Sequence, residues 1–411
     1  MFSILSKKME VAVTSTAKHL GIGHAGNPAD FGGIVRIEVV VDQAVSEGGE
    51  LSVYREGDES AAVVLGNVSA GEVVPVGVHF ILLPNGVNRL VFMLREASGL
   101  VSVATHDLTV ENVGSLAEET ATLMRAAGSP LFFVGPCDST VYPYGKHVAW
   151  FDRPDAKDHI RKLQERGEIS AEEAAHLAHF VDKGFLMVEG LIDDKLVDSV
   201  NGEIDAAIAE GYQGYKLGSS QRIEHLHLSR PNMRKLWLDA RHRRYADLIF
   251  GVQSRPCQTL TYVFGSQQDE HQDLIHLTPF PAGYMCGVWI ALQDVVADSG
   301  ELVVYPGSHR EPRVYLQGTG CAKVKGNWQE FGEKVCSIWA AMTHRYEKFI
   351  YRPKKGTVLI WHENLLHAGS VRLDQSLERR SVVIHSFADG AAVYYDSTGL
   401  NGSAARRELL V

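Results

Sequence analysis

His271-Gln272-Asp273 and, further along, Leu359-Ile-Trp-His-Glu-Asn-Leu-Leu-His367-Ala-Gly369 are the stretches on which this 411-residue sequence turns. On an extended backbone residues i and i+2 point to the same side, so the His271 imidazole and the Asp273 carboxylate converge. They make two ligands of a metal site, and a third must come from elsewhere. His367 lies 96 residues on (367 − 271), just past the strand-like run 356–361. Two histidines and one carboxylate on one face of a metal leave three positions open, the facial triad of non-heme Fe(II) oxygenases. Two open positions suit a bidentate 2-oxo acid and one suits O2. His362, directly after the run 358–361, competes with His367 on spacing alone. A lone His-x-Asp tripeptide is also ordinary surface sequence, so its surroundings decide its weight.

Arg379 follows His367 by twelve residues (379 − 367), at the head of the apolar run 381–387. A 2-oxo diacid needs its far carboxylate anchored, and arginine binds a carboxylate with a planar fork that stays charged when buried. Arg380 is the adjacent rival; successive strand residues face opposite ways, so only one of the two can point inward with the ligands. The plainer alternative is that both are solvated strand-end charges.

Composition bounds the rest. Hydrophobic residues make up 45% and charged residues 22% of the chain, which excludes a disordered or fibrous protein. The length suggests two or three domains. Forty basic against fifty acidic residues give a net charge of −10, against the basic footprint that nucleic-acid binding needs. No apolar run reaches the roughly 18 residues of a membrane helix, and the opening MFSILSKKMEVAV is too short and too soon charged for a secretory signal. Cys137, Cys257, Cys286, Cys321 and Cys336 form no CxxC pair, so neither a disulfide framework nor a zinc ribbon is expected and a reducing, cytoplasmic setting is.

Residues 1–114 carry six or so short apolar runs (34–41, 51–54, 62–65, 76–83, 89–94 and 100–110) separated by turn signals such as Pro84-Asn85-Gly86. That spacing suggests an antiparallel β-sandwich serving as an accessory domain. At Ser115 the period changes: Ser115 with Glu118 and Ser170 with Glu173 match capping boxes, and 115–183 is read as a helical linker region. From 184 to 411 the pattern mixes helices with strands, giving a mainly β chain with flanking helices (α+β).

The motifs, taken in order, resemble the phytanoyl-CoA dioxygenase family: His271-Gln272-Asp273, Gly287-Val-Trp-Ile-Ala-Leu-Gln-Asp294, Gly300-Glu-Leu-Val-Val-Tyr-Pro-Gly-Ser-His309, the 359–369 stretch, and Arg379-Arg-Ser. The match covers about 184–388, half the chain. The resemblance implies an Fe(II)- and 2-oxoglutarate-dependent oxygenase on a double-stranded β-helix (jelly-roll, cupin-like). It implies that His271, Asp273 and His367 bind iron, the family pattern preferring His367 to His362. It implies that Arg379 binds the distal carboxylate of 2-oxoglutarate and that Trp289 lines the cosubstrate pocket, with Gln258 a further candidate there. Gly307 is a turn glycine. Halogenating relatives lack the carboxylate ligand, so Asp273 favours oxygen transfer.

The implied reaction consumes O2 and 2-oxoglutarate, releases succinate and CO2, and by default hydroxylates a C–H bond of a small-molecule substrate. Desaturation or ring closure would use the same residues. Two other classes stay in view. One is a non-catalytic binding protein on a degenerate oxygenase barrel; the other is a metal-dependent hydrolase or isomerase, which gives Arg379 no role. Residues 311–355 either cover the site as a lid or form a peripheral insertion. His276 either lines the substrate pocket or packs on the barrel rim. Arg310, Arg313, Lys323 and Lys325 either meet an acidic substrate group or form a solvated face. The N-terminal sandwich is open to a homo-oligomer or partner contact; no nucleic-acid or membrane partner is expected.

Overall fold

The computed structural model describes residues 19–26, 32–45, 48–135, 141–321 and 328–394. Cys137, Lys323, Lys325 and the opening 18 residues lie outside the described residues. The chain forms two compact units. Within the described residues one holds Val35–Glu111, Pro130–Gly135 and the strand Leu20–Ala25, and the other holds Asn112–Ser129 and the described residues from 141 onward.

Among its described residues the first unit has eight strands: β1 (Leu20–Ala25), β2 (Val35–Val41), β3 (Gly49–Arg55), β4 (Val63–Val68), β5 (Val73–Val78), β6 (Gly86–Glu96), β7 (Val101–Val110) and β8 (Phe132–Val134). They form two antiparallel four-stranded sheets, β1-β2-β5-β8 and β4-β3-β6-β7, about one core. β2 shows why: Val35, Ile37, Val39 and Val41 are buried, while Arg36, Glu38 and Val40 face away. The run 76–83 is not one strand. β5 ends at Val78, and Phe80–Leu82 makes a 3-10 turn. Buried His79 breaks the strand, its Nδ1 donating to the Pro130 carbonyl at 2.6 Å and its backbone N–H to Leu131. β8 comes from beyond residue 114 and fits because Gly77 leaves room for the Phe133 ring.

In the second unit the helices α1 (Ser115–Ala126), α2 (Ala156–Glu165), α3 (Ala171–Lys183), α4 (Asp194–Ala209), α5 (Pro231–Trp237) and α6 (Ala240–Phe250) accompany strands β9 (Phe185–Val188), β10 (Ile223–Glu224), β11 (Ser254–Tyr262), β12 (Thr278–Phe280), β13 (Met285–Ala291), β14 (Leu302–Val304), β15 (Phe349–Tyr351), β16 (Val358–His362), β17 (His367–Gly369), β18 (Ser381–Ala388) and β19 (Ala392–Tyr394). The stretch 115–183 is not a linker. Ile160, Leu177 and Phe180 share a core with Val288, Ile360 and Ile384 of the large sheet. Ser170 and Glu173 form the expected reciprocal capping box. Ser115 does not cap: it already lies inside α1, and Gly114 occupies the cap position at φ 90°.

A six-stranded antiparallel sheet, β10-β11-β18-β13-β16-β9, shares a second core with the three-stranded sheet β15-β14-β17. Alternation divides the large sheet cleanly. Val288, Ile290, Ile360 and Ile384 pack among the helices, while Trp289, Ala291, Leu359, Trp361 and Val383 pack with Leu302, Val304 and Tyr351 of the small sheet. No helix among the described residues is long and apolar enough to cross a membrane.

Gly287 on β13 lies opposite Trp361 on β16, and a Cβ at 287 would overlap the indole. Overpacking a filled core costs about 1–3 kcal/mol. Gly287→Ala should therefore lower the unfolding free energy by that amount, read as a lower urea midpoint at an unchanged slope; a wild-type midpoint would show that the indole can step aside.

Candidate active site

The ligand geometry starts in the backbone. His271 and His367 exchange two hydrogen bonds, N–H to O at 3.0 and 3.2 Å, so the two histidines sit side by side with ring centroids 4.2 Å apart. Gln272 is extended (φ −110°, ψ 131°), which brings Asp273 round to the His271 side. Asp273 Oδ1 lies 3.6 Å from His271 Nε2 and 3.6 Å from His367 Nε2. Candidate ligand atoms of all three residues lie within 4.8 Å of one another, and all three residues are buried. Two metal–ligand bonds of about 2.1 Å span up to about 4.2 Å, and the two 3.6 Å separations from Asp273 Oδ1 fall within that reach.

The histidines are oriented for that task. Each Nδ1 meets a backbone carbonyl two residues earlier, Asp269 at 2.7 Å and Leu365 at 3.0 Å. A carbonyl only accepts, so Nδ1 carries the proton and the Nε2 lone pair faces the site. Burial, then neighbouring His367, lowers the His271 pKa to about 3, which keeps that lone pair free at neutral pH. Burial alone would favour a protonated Asp273, but His367, His385 and His271 outweigh it and hold the carboxyl well below the usual range. Asp273 Oδ2 accepts hydrogen bonds from Trp361 Nε1 at 2.7 Å and His385 Nε2 at 3.2 Å.

His362 is elsewhere. Its Nδ1 accepts from the Asn364 backbone at 2.9 Å and its Nε2 faces Asp152 at 3.3 Å, so both nitrogens are engaged away from the triad. Arg379 is buried, donating Nε to the Gly300 carbonyl at 3.0 Å and Nη1 to Ser381 Oγ at 2.6 Å, with its guanidinium 5.5 Å from the Trp289 ring centre. Burial lowers its pKa to about 10, so it stays charged. Arg380 turns outward to Asp205 and Glu378, as strand alternation requires. Gln258 sits on β11 with its amide Nε2 2.7 Å from His385 Nδ1, and so reaches Asp273 through that ring.

Val314, Phe331 and Trp339, from the described parts of 311–355, pack beside the candidate ligands. Gln272 Oε1 accepts from Trp339 Nε1 at 3.1 Å and from the Val314 backbone at 3.2 Å. His276 stacks on Phe331 at 5.3 Å and lies 6.2 Å from Trp328, and burial lowers its pKa to about 4. Arg310 and Arg313 differ: Arg310 is exposed while donating to the Val181 and Asp182 carbonyls, and half-buried Arg313 bridges Asp152 and Glu363. Gly307 takes the left-handed turn conformation at φ 91°. The sequence reading passed over His385, although it shares strand parity with Arg379, Ser381 and Val383.

These placements separate the two candidate third ligands. Replacing His367 with Ala should weaken Co(II) binding by more than the roughly 10–100-fold that loss of a ligand's hydrogen-bond partner costs. Replacing His362 with Ala should leave the metal dissociation constant unchanged. The reverse pattern in a metal titration would reassign the ligand.

Comparison with known proteins places this site in a wider group. The family model for phytanoyl-CoA dioxygenase (PhyH) matches residues 180–376. The peroxisomal phytanoyl-CoA dioxygenase of Bos taurus is 27% identical over 150 residues, 35% of this chain and 40% of that protein. The chain thus spans about two-fifths of the bovine protein's length. A phytanoyl-CoA dioxygenase domain-containing protein 1 homolog of Caenorhabditis briggsae is 21% identical over 259 residues, 50% of this chain and 88% of that protein. Among solved structures, similarity extends to the non-heme α-ketoglutarate-dependent carbocyclase SnoK from nogalamycin biosynthesis, at 17% identity and TM-score 0.48, covering 59% of this chain and 96% of that one. The matched span contains all three candidate ligands, and both relatives carry the family's name; residues 180–376 match the phytanoyl-CoA dioxygenase family.

Proposed function

We propose that this protein is an Fe(II)- and 2-oxoglutarate-dependent dioxygenase that hydroxylates a C–H bond of a small-molecule metabolite and releases succinate and CO2. Its six- and three-stranded sheets serve as the two walls of a double-stranded β-helix. The observation that carries this reading is Arg379. A guanidinium that is 2% exposed makes hydrogen bonds to neutral oxygens only and, among the described residues, forms no ion pair. A buried cation without an anion is unfavourable, and the far carboxylate of a 2-oxo diacid answers it.

The donor set fits iron. Two neutral imidazoles and one carboxylate suit non-heme Fe(II) and leave open positions for a chelating cosubstrate and O2. Bound iron would supply O2 activation coupled to 2-oxoglutarate decarboxylation. The chain's own part is placement. His271 and His367 present Nε2, Asp273 presents Oδ1, and Arg379, whose guanidinium lies beside the Trp289 ring, would hold the cosubstrate's distal carboxylate. His276, with Phe331 and Trp328 beside it, borders the site where a substrate would lie. A hydrolase reading leaves Arg379 without work, and a binding-only reading leaves a complete ligand set unused. The free, buried Cys257 and Cys286 agree with a cytoplasmic setting.

Anaerobic titration with Fe(II) and then 2-oxoglutarate, followed by visible absorption, tests the proposal. Wild type should show a weak metal-to-ligand charge-transfer band. Asp273→Ala and Arg379→Ala should lose it or need far more cosubstrate. A folded wild type with no band would overturn the oxygenase reading in favour of the binding protein.

A further inference from the structure

We infer that Gln258, His385 and Trp361 are positioning residues that hold Asp273 as a one-oxygen ligand, and that Gly287 makes their convergence sterically possible. The inference rests on the metal-site reading proposed above.

The four residues form one row across four adjacent strands. Trp361 on β16 is the register partner of Gly287 on β13, Gly287 is the partner of His385 on β18, and His385 is the partner of Gln258 on β11. Same-row neighbours in a sheet present their side chains on one face. Here that face turns toward Asp273. With no side chain at Gly287, the Trp361 indole occupies the space a Cβ would fill, and the Trp361 and His385 rings come within 6.5 Å of each other. Both then donate to the same oxygen, Asp273 Oδ2, at 2.7 and 3.2 Å.

Proton placement along the row follows from the partners. The carboxylate oxygen only accepts, so His385 carries its proton on Nε2. Its Nδ1 is then an acceptor and takes the Gln258 amide N–H at 2.7 Å. Gln258 thereby selects the tautomer in which His385 can donate to Asp273. Two donors on Oδ2 leave Oδ1 as the oxygen facing both histidine Nε2 atoms, at 3.6 Å from each. A carboxylate free to rotate could chelate through both oxygens and take one of three open positions. A chelating 2-oxo acid and O2 together need all three. The row therefore protects cosubstrate binding rather than metal binding as such.

The test uses the full-length protein and Co(II) as the probe metal, reading the d–d absorption and then 2-oxoglutarate affinity. Wild type should take one Co(II) and bind 2-oxoglutarate with a spectral change. His385→Leu should keep Co(II) but show an altered d–d envelope before cosubstrate is added, and 2-oxoglutarate affinity about tenfold weaker, the lower end of the range for losing a ligand's hydrogen-bond partner. His385→Gln, which restores a side-chain N–H, should recover much of both. Gln258→Leu should move both readouts in the His385→Leu direction by less. A wild-type spectrum and affinity in folded His385→Leu, or no recovery in His385→Gln, would overturn the inference. Failure of wild type to bind Co(II) would instead overturn the metal reading, and the inference with it.

Discussion

His271 and His367 exchange a pair of backbone hydrogen bonds, and the site exists because that pair forms. It joins positions 96 residues apart (367 − 271). Closing a flexible loop of that length costs on the order of 4 kcal/mol, whereas two hydrogen bonds contribute about 1 kcal/mol net apiece. The pair therefore cannot hold itself. It is held by the sheets on either side: β14 pairs with β17 so that Val304 faces His367, and β13 pairs with β16 so that Gly287 faces Trp361. Placing the ligands is a by-product of packing the two sheets on their shared core.

That core makes the electrostatics severe. Asp273 and Arg379 are both nearly excluded from water, at 7% and 2% exposure. They are satisfied in different ways. Asp273 is surrounded by imidazoles and N–H donors and remains ionised. Among the described residues Arg379 has neutral hydrogen-bond partners only. That difference between a paired anion and an unpaired cation is what the proposed cosubstrate role of Arg379 rests on.

Local patterns were legible in the sequence and pairings across strands were not. The i, i+2 relation of His271 and Asp273, the opposite facing of Arg379 and Arg380, and the Ser170 capping box all depend on neighbours in the chain, and they appear as expected. Choosing His367 over His362 on residues alone was out of reach, because both follow the same strand; the difference is that His362 is claimed by Asp152 and Asn364. Gln258 was expected as a cosubstrate-pocket candidate, while its link to Asp273 runs through His385, 127 residues away in sequence. That contact is set by strand register, which no local pattern encodes. The same holds for β8, whose Phe133 reaches back to Gly77. Ser115 misled because a cap motif is a local permission, and the helix began one residue earlier.

The alternation that brings two ligands together has a second effect. When residues i and i+2 turn toward the candidate metal site, residue i+1 must turn away. Here that residue is Gln272, fully buried, and its amide serves the other side. It accepts from Trp339 and the Val314 backbone and donates to the Pro312 carbonyl. The stretch 311–355 is thus fastened to the ligand turn itself, while Asp273 is fastened to the large sheet. A turn gripped on both faces has little freedom to reorient, so the rigidity of the ligands comes jointly from the barrel and from the insertion that packs against it.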